Sequence, residues 1–229
     1  MVGTLILVGS GWAGGAVLAA FFVSSSAVGR LAPERPALDA KGERRDAAQV
    51  AANGGPAAFG ALLGTLSGIE APGLALWIVT GSLAAAAADT WATSLGLLSR
   101  TPPRRLLFGA SVAAGTSGGM TPVGTLAAAA GALLVATVGA LAGPVPDLVP
   151  AGTLVGFAGM AADSVLGAAG QGRFHCPACD APSERRVHRC GARTVRTGGL
   201  AWLDNDGVNL AATALAAGLA ALAWHTWPR

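Results

Sequence analysis

The chain has 229 residues, of which 52% are hydrophobic and only 12% charged, with 34 Gly, a single Lys and no Tyr. A soluble globular domain carries roughly 25% charged residues, so half that share, with a mean hydropathy of +0.55, excludes an ordinary water-soluble enzyme. The net charge of +3 calls for no nucleic-acid partner, because the placement of the basic residues described below accounts for it.

A bilayer core of about 30 Å takes roughly 20 apolar residues per helix, and the charge-free gaps are long enough to supply them. Thr4 to Gly29 carries no charge. It predicts a first span near 4–28, and with no Lys or Arg ahead of it and no clear cleavage site it reads as a retained span. Ala47 to Ser99 carries only Glu70 and Asp89, predicting spans near 52–68 and 73–96. Leu106 to Gly172 carries only Asp147 and Asp163, predicting spans near 119–142 and 150–170. Thr197 to Pro228 carries only Asp204 and Asp206, predicting a sixth span near 199–225. The expected fold is an all-α, single polytopic membrane domain over 1–229, with a polar Cys/His loop at 172–197 between spans five and six.

Fourteen of the fifteen basic residues fall in the first, third and fifth loops. The positive-inside rule assigns those loops to the cytoplasm and both termini to the outside.

Acidic residues inside spans are the informative ones, since a lone Asp at a helix centre costs about 2.5–3.5 kcal/mol on insertion scales. Asp89 lies about two turns from the cytoplasmic end of span three, Asp163 about two turns from that of span five, and Asp204 and Asp206 near the start of span six. Asn53, Asn205 and Asn209 fall at the same depth, so oxygen ligands from several helices gather just inside the cytoplasmic boundary. A weak internal repeat accompanies them. Ala88-Asp89-Thr90 is echoed by Ala162-Asp163-Ser164, and glycine pairs (Gly54-Gly55, Gly118-Gly119, Gly198-Gly199) precede or open three spans. The expectation is a Gly-rich helix start on the cytoplasmic side of each.

Gly115-Thr116-Ser117-Gly118-Gly119-Met120-Thr121-Pro122 has the chemistry of an anion nest, with glycines free to take positive φ, two hydroxyls and a following helix N-terminus. The Lys of a Walker A loop is missing, and the segment reads equally as a glycine-rich hinge. Lys41, Arg44 and Arg45, in a charged stretch leading into span two, are suited to neutralise phosphates. With Asp89, Asp163 and Asp206 to hold Mg²⁺, these parts suit phosphoryl transfer.

The fifth loop contains all three cysteines. Cys176-Pro177-Ala178-Cys179 with His188 and Cys190 forms a Cys₃His set suited to a structural Zn²⁺. Free thiols in a polar loop are the alternative, since the second half is only His-x-Cys.

Five segments in order resemble the motifs of one family. They are Asp39-x-Lys41-Gly42-x-Arg44-Arg45-Asp46 with Gln49 and Asn53-Gly54, then Ala88-Asp89-Thr90-Trp91-Ala92-Thr93, then Gly115 to Gly119, then Asp163-Ser164 with Gly167-Ala168 and Gln171, and finally His188-x-Cys190-Gly191 with Leu203-Asp204-Asn205-Asp206 and Val208-Asn209. The family is that of plant phytyl-phosphate kinase and transmembrane protein 19. The resemblance implies an enzyme that phosphorylates a prenyl monophosphate, of phytyl or geranylgeranyl type, with a nucleoside triphosphate, CTP being the first candidate. It also implies Thr90, Thr116, Ser117, Gly118, Gly119, Ser164, Asn53, Asn205 and Asn209 as phosphate or nucleotide contacts, and a prenyl tail held in the bilayer. The chain departs from the family at Ser94, where Glu is common. A lipid-phosphate cytidylyltransferase would use the same parts, and a secondary transporter is the non-enzymatic alternative.

Overall fold

The computed structural model describes residues 1–32, 47–66, 72–106 and 109–227. Within them the chain forms six helices: α1 (Val2–Leu31), α2 (Ala47–Leu66), α3 (Pro72–Gly96), α4 (Pro122–Ala142), α5 (Leu148–Gly170) and α6 (Asn205–Thr226). Five of these are long and apolar enough to cross a membrane; α2, which carries Gln49, Asn53 and Pro56, is not among them.

The bundle is organised around α3, which packs against all five other helices. Every residue from 75 to 88 is buried, the mark of a helix that is apolar on all sides. Its run of Ala and Gly makes this central place feasible, because small side chains let neighbouring backbones come close where no hydrophobic force drives helices together. Helix α5 runs parallel to α3: a Cβ at Gly156 would lie 2.7 Å from that of Ala84, and one at Gly159 would lie 2.5 Å from that of Ala85. Helices α4 and α6 run antiparallel to α3, with Gly131 against Trp91 and Trp224 against Gly73. The rings of Trp224 and Trp77 meet edge to face at 5.9 Å. The end of α6 therefore lies where α3 begins.

The first predicted span is not one continuous helix. At Gly11 the backbone takes φ 62° and ψ −161°, a region essentially reserved for glycine, and the chain reverses. Gly3 lies against Leu18 and Gly15 against Leu7, pairs that a straight helix would hold far apart. Residues 2–10, about 14 Å of helix, fold back on residues 12–31. Val2 meets Gly54, and Gly9 meets Ala61. The start of α1 thus sits part-way along α2.

Helix starts also differ from the expected glycine pairs. Gly54 and Gly55 lie inside α2. Helix α4 is capped by Thr121, whose side chain accepts from the N–H of Gly124 at 3.0 Å, and has Pro122 at its first position. Helix α6 is capped by Asp204, which accepts from Gly207 N–H at 2.9 Å. Side chains able to bond the first free N–H groups set these starts, and the glycines serve the loops before them.

Two small β elements sit at the end of the bundle where α3 ends. Strands β1 (Arg104–Arg105) and β2 (Gly119–Met120) pair antiparallel ahead of α4. The Cys/His insertion is a three-stranded antiparallel sheet, β4–β3–β5, built from β3 (Arg173–Cys176), β4 (Ala181–Ser183) and β5 (Val195–Gly198). Its two ends are tied together by Leu200 N–H donating to Gly170 C=O and Gly172 N–H donating to Leu203 C=O.

Candidate functional site

Asp89 follows directly on the buried stretch of α3, and the parallel register of α5 sets Asp163 beside it at the same level. The two carboxylates interact electrostatically. Oδ2 of Asp163 is buried and has no hydrogen-bond partner among the described residues.

The glycine loop meets these helices from the side. Gly115 has φ 85° and Gly118 has φ 74°, so both take the left-handed conformation that glycine alone adopts cheaply. Gly118 is pressed onto α5: a Cβ there would stand 2.5 Å from Ser164 O and 2.6 Å from Ala168 N. Ser117 Oγ donates to Gln171 Oε1 at 2.6 Å, and Gly119 N–H donates to Thr116 C=O at 3.0 Å. These bonds hold the loop at the capped start of α4. Arg105 pairs with Gly119 across the β1–β2 register.

Together these elements enclose a cavity of about 140 Å³, lined among others by Asp89, Thr93, Thr116, Ser117, Gly118, Gly119, Thr121, Asp163, Ser164, Glu184 and Asn205. One water needs only about 10–15 Å³ measured in this way, so the cavity has room for a cation and a phosphate group. Carboxylates, hydroxyls and loop backbone around it are hard oxygen donors and N–H donors, the chemistry that suits Mg²⁺ and phosphate.

Several expected site residues lie elsewhere. Thr90 donates its hydroxyl to Ala86 C=O on its own helix at 2.8 Å and does not line the cavity. Thr213 donates to Ala52 C=O across the α2–α6 contact at 2.8 Å. Buried Asn209 lies one turn before Thr213 on this seam, with Asn53 adjoining Ala52; neither lines the cavity. Asp206 is not among the residues that line the cavity with Asp89 and Asp163. Lys41, Arg44 and Arg45 lie outside the described residues.

Sequence reasoning included Thr121 in its glycine-rich candidate segment but missed Thr93 and Glu184. Thr93 was findable, being four residues after Asp89 and so on the same helix face. Glu184 carried no such signal, because it arrives on the Cys/His sheet. Ser94 is buried and does not line the cavity.

That sheet contains a second constellation. The ligand atoms of Cys176, Cys179, His188 and Cys190 all lie within 4.8 Å of one another. Cys176 Sγ is 3.7 Å from Cys190 Sγ, and His188 Nδ1 is 3.1 Å from Cys190 Sγ. Tetrahedral Zn–S bonds of about 2.3 Å place sulfurs about 3.8 Å apart, so the residues fit a Zn²⁺ ion. The Cys-x-x-Cys turn joins β3 to β4, while a second turn, closed by Gly191 N–H to His188 C=O at 2.8 Å, presents His188 and Cys190. His175 faces away, with Nε2 3.1 Å from Asp180 Oδ1. Backbone hydrogen bonding at Ala192, with that from His188, lowers Cys190 to about 6, and the hydrogen bond to Cys190 raises Cys179 to about 11. One thiolate is thereby favoured at neutral pH, the form that binds metal.

A bundle of apolar helices with a polar, acid-lined cavity near one end defines a polytopic integral membrane protein. Its family is now clear: the chain belongs to the integral membrane protein family DUF92, which matches residues 1–217. Comparison with curated proteins and with solved structures finds no match.

Proposed function

We propose that this protein transfers a phosphoryl group from a nucleoside triphosphate, CTP being the first candidate, to an isoprenoid monophosphate of phytyl or geranylgeranyl type. The observation that carries this reading is the cavity in which Asp89 and Asp163 face the glycine loop 115–119 at the start of α4. Asp89 and Asp163 would hold Mg²⁺, and the Oδ2 of Asp163, which has no hydrogen-bond partner among the described residues, fits that assignment. The ion supplies charge neutralisation between donor phosphates. Gly118 and its neighbours, with the N-terminus of α4, orient the transferred group by N–H donors and a positive dipole end.

The acceptor needs no general base. A phosphate monoester has a second pKa near 6 and is largely dianionic at neutral pH, so its oxygen attacks the terminal phosphorus as the bond to the nucleoside diphosphate breaks. Positioning and charge stabilisation suffice for such loose transition states. By sequence, Lys41, Arg44 and Arg45 supply further positive charge. The positive-inside rule applied to the basic loops supports a cytoplasmic cavity, with the prenyl tail among the apolar helices.

The test is incubation of the purified full chain with phytyl or geranylgeranyl monophosphate and each γ-labelled nucleoside triphosphate. Labelled prenyl diphosphate is expected, and Asp89→Asn or Asp163→Asn should abolish it while leaving the protein folded. Release of pyrophosphate with a cytidylyl-lipid product would replace the kinase reading by a cytidylyltransferase. No turnover with any nucleotide would refute both.

A further inference from the structure

We propose that Cys176, Cys179, His188 and Cys190 hold a structural Zn²⁺ that, through Gln171, braces the glycine loop 115–119 against α5. Two observations carry the ion. The first is that four ligand side chains from two separate turns converge to within 4.8 Å of one another. The Sγ atoms of Cys176 and Cys190 stand 3.7 Å apart, the spacing of two thiolates on one tetrahedral ion, and all three cysteines are free. A thiol is a weak hydrogen-bonding group, so contacts among these side chains supply little of the energy that gathers them. The second is size. The segment 171–204 joins α5 to α6 with strands of only 4, 3 and 4 residues, too little to order itself by burying apolar surface, and a metal is a usual remedy. Four protein ligands close the coordination shell, so the ion is a brace and not a reaction centre.

The route from the ion to the loop runs through the sheet. Cys176 ends β3, and the ion ties it to the turn at 188–190, which lies between β4 and β5. Strand β5 pairs with β3, with Phe174 opposite Arg196. From the end of β5 the chain is pressed back on the end of α5: Gly199 has φ 66°, and a Cβ there would collide with Gln171 C=O. Leu200 N–H donates to Gly170 C=O at 2.8 Å and Gly172 N–H donates to Leu203 C=O at 2.9 Å, which clamps Gln171 on both sides. Arg173 donates to Ala168 C=O at 3.2 Å, and Arg186, two residues before His188, donates to Ala201 C=O at 2.7 Å. So held, buried Gln171 offers Oε1 to Ser117 Oγ at 2.6 Å, a side-chain bond between the glycine loop and the junction of α5 with β3. Gly167, one turn earlier, leaves space for that pair, since a Cβ there would stand 2.5 Å from Ser117 Oγ and 3.6 Å from Gln171 Oε1. Loss of the ion frees the turn at 188–190 from β3 and so loosens the clamp on Gln171.

The experiment combines elemental analysis, Co²⁺ substitution and hydrogen exchange on the purified full chain, kept reduced and with no nucleotide or prenyl phosphate present, so its outcome does not depend on the phosphoryl-transfer reading. Wild-type protein should carry about one zinc per chain, and Co²⁺ in its place should give the visible bands of tetrahedral thiolate coordination. Stripping zinc with a chelator should speed exchange at Gly172 and Leu200 and at the hydrogen-bonded loop amides of Thr116 and Gly119. The expected change is roughly threefold to tenfold, the worth of one net hydrogen bond, and added zinc should reverse it. Amides of α3 from 75 to 88 should exchange as before, which separates loosening from unfolding. Gln171→Ala and Ser117→Ala should keep zinc and the Co²⁺ spectrum yet show the faster exchange at Thr116 and Gly119, whereas Cys179→Ser should lose zinc and loop protection together. A wild-type chain that takes up neither zinc nor Co²⁺, or that joins Cys176 to Cys190 in a disulfide instead, overturns the site. Loop exchange that is unchanged by zinc removal, or by Gln171→Ala, overturns the link from the ion to the loop. A zinc-braced loop in a chain that transfers no phosphoryl group would refute the kinase reading and leave this proposal standing.

Discussion

Replacing Gly118 by Ala separates two costs that glycine avoids at the cavity wall. The first is conformational: φ 74° is a left-handed setting that costs an L-residue roughly 1–2 kcal/mol. The second is contact. The new Cβ would stand 2.5 Å from Ser164 O, about 0.9 Å inside the 3.4 Å at which ordinary contact begins, and 2.6 Å from Ala168 N. Both are helix backbone atoms that cannot swing aside, so the loop must lift from α5. Overpacking of this kind adds roughly 1–3 kcal/mol, for a total of about 2–5 kcal/mol. Gly109→Ala is the matched control, since Gly109 has φ 59° with nothing within 4 Å of its Cβ position; it should cost only the conformational part. Melting in detergent reads stability, and prenyl-phosphate turnover reads function. A shift near 1 Å in the loop should lower kcat/KM on the order of a hundredfold, whereas Gly109→Ala should stay near wild type. Equal melting and equal turnover of the two variants would refute the argument that Gly118 fixes the loop against α5.

Gly11→Ala should destabilise the protein by roughly 1–3 kcal/mol, because the chain reversal in α1 depends on its backbone setting; Gly29→Ala, in the same helix with open space around it, should be neutral or slightly stabilising in the same melting assay. Purified protein should carry about one zinc per chain by elemental analysis and release it on acidification as its thiolate and imidazole ligands take up protons; metal-free protein with a normally ordered 172–197 segment by hydrogen exchange would leave these residues as thiols. Arg44→Lys and Arg45→Lys keep the inside-positive charge but remove a bidentate fork, so loss of a phosphate contact should lower kcat/KM tenfold to hundredfold, about 1.5–3 kcal/mol. Wild-type rates from both would confine these arginines to topology.

The membrane class was legible in the sequence, because charge-free runs mark spans. Asp89 and Asp163 line one cavity, and Cys-x-x-Cys with His-x-Cys brought its four ligands together because short turns leave those side chains few other places. Direction around each helix was another matter. Thr213 turns to α2 by donating to Ala52 C=O, a choice made by which helix packs beside α6. Gly11 looks in sequence like any other glycine of its helix; only the fold-back of residues 2–10 onto 12–31 makes it the hinge. Glu184 reaches the cavity because the sheet that carries it is tied back to the end of α5 through Gly170 and Gly172, so its place was set by contacts distant in sequence, which no local pattern records.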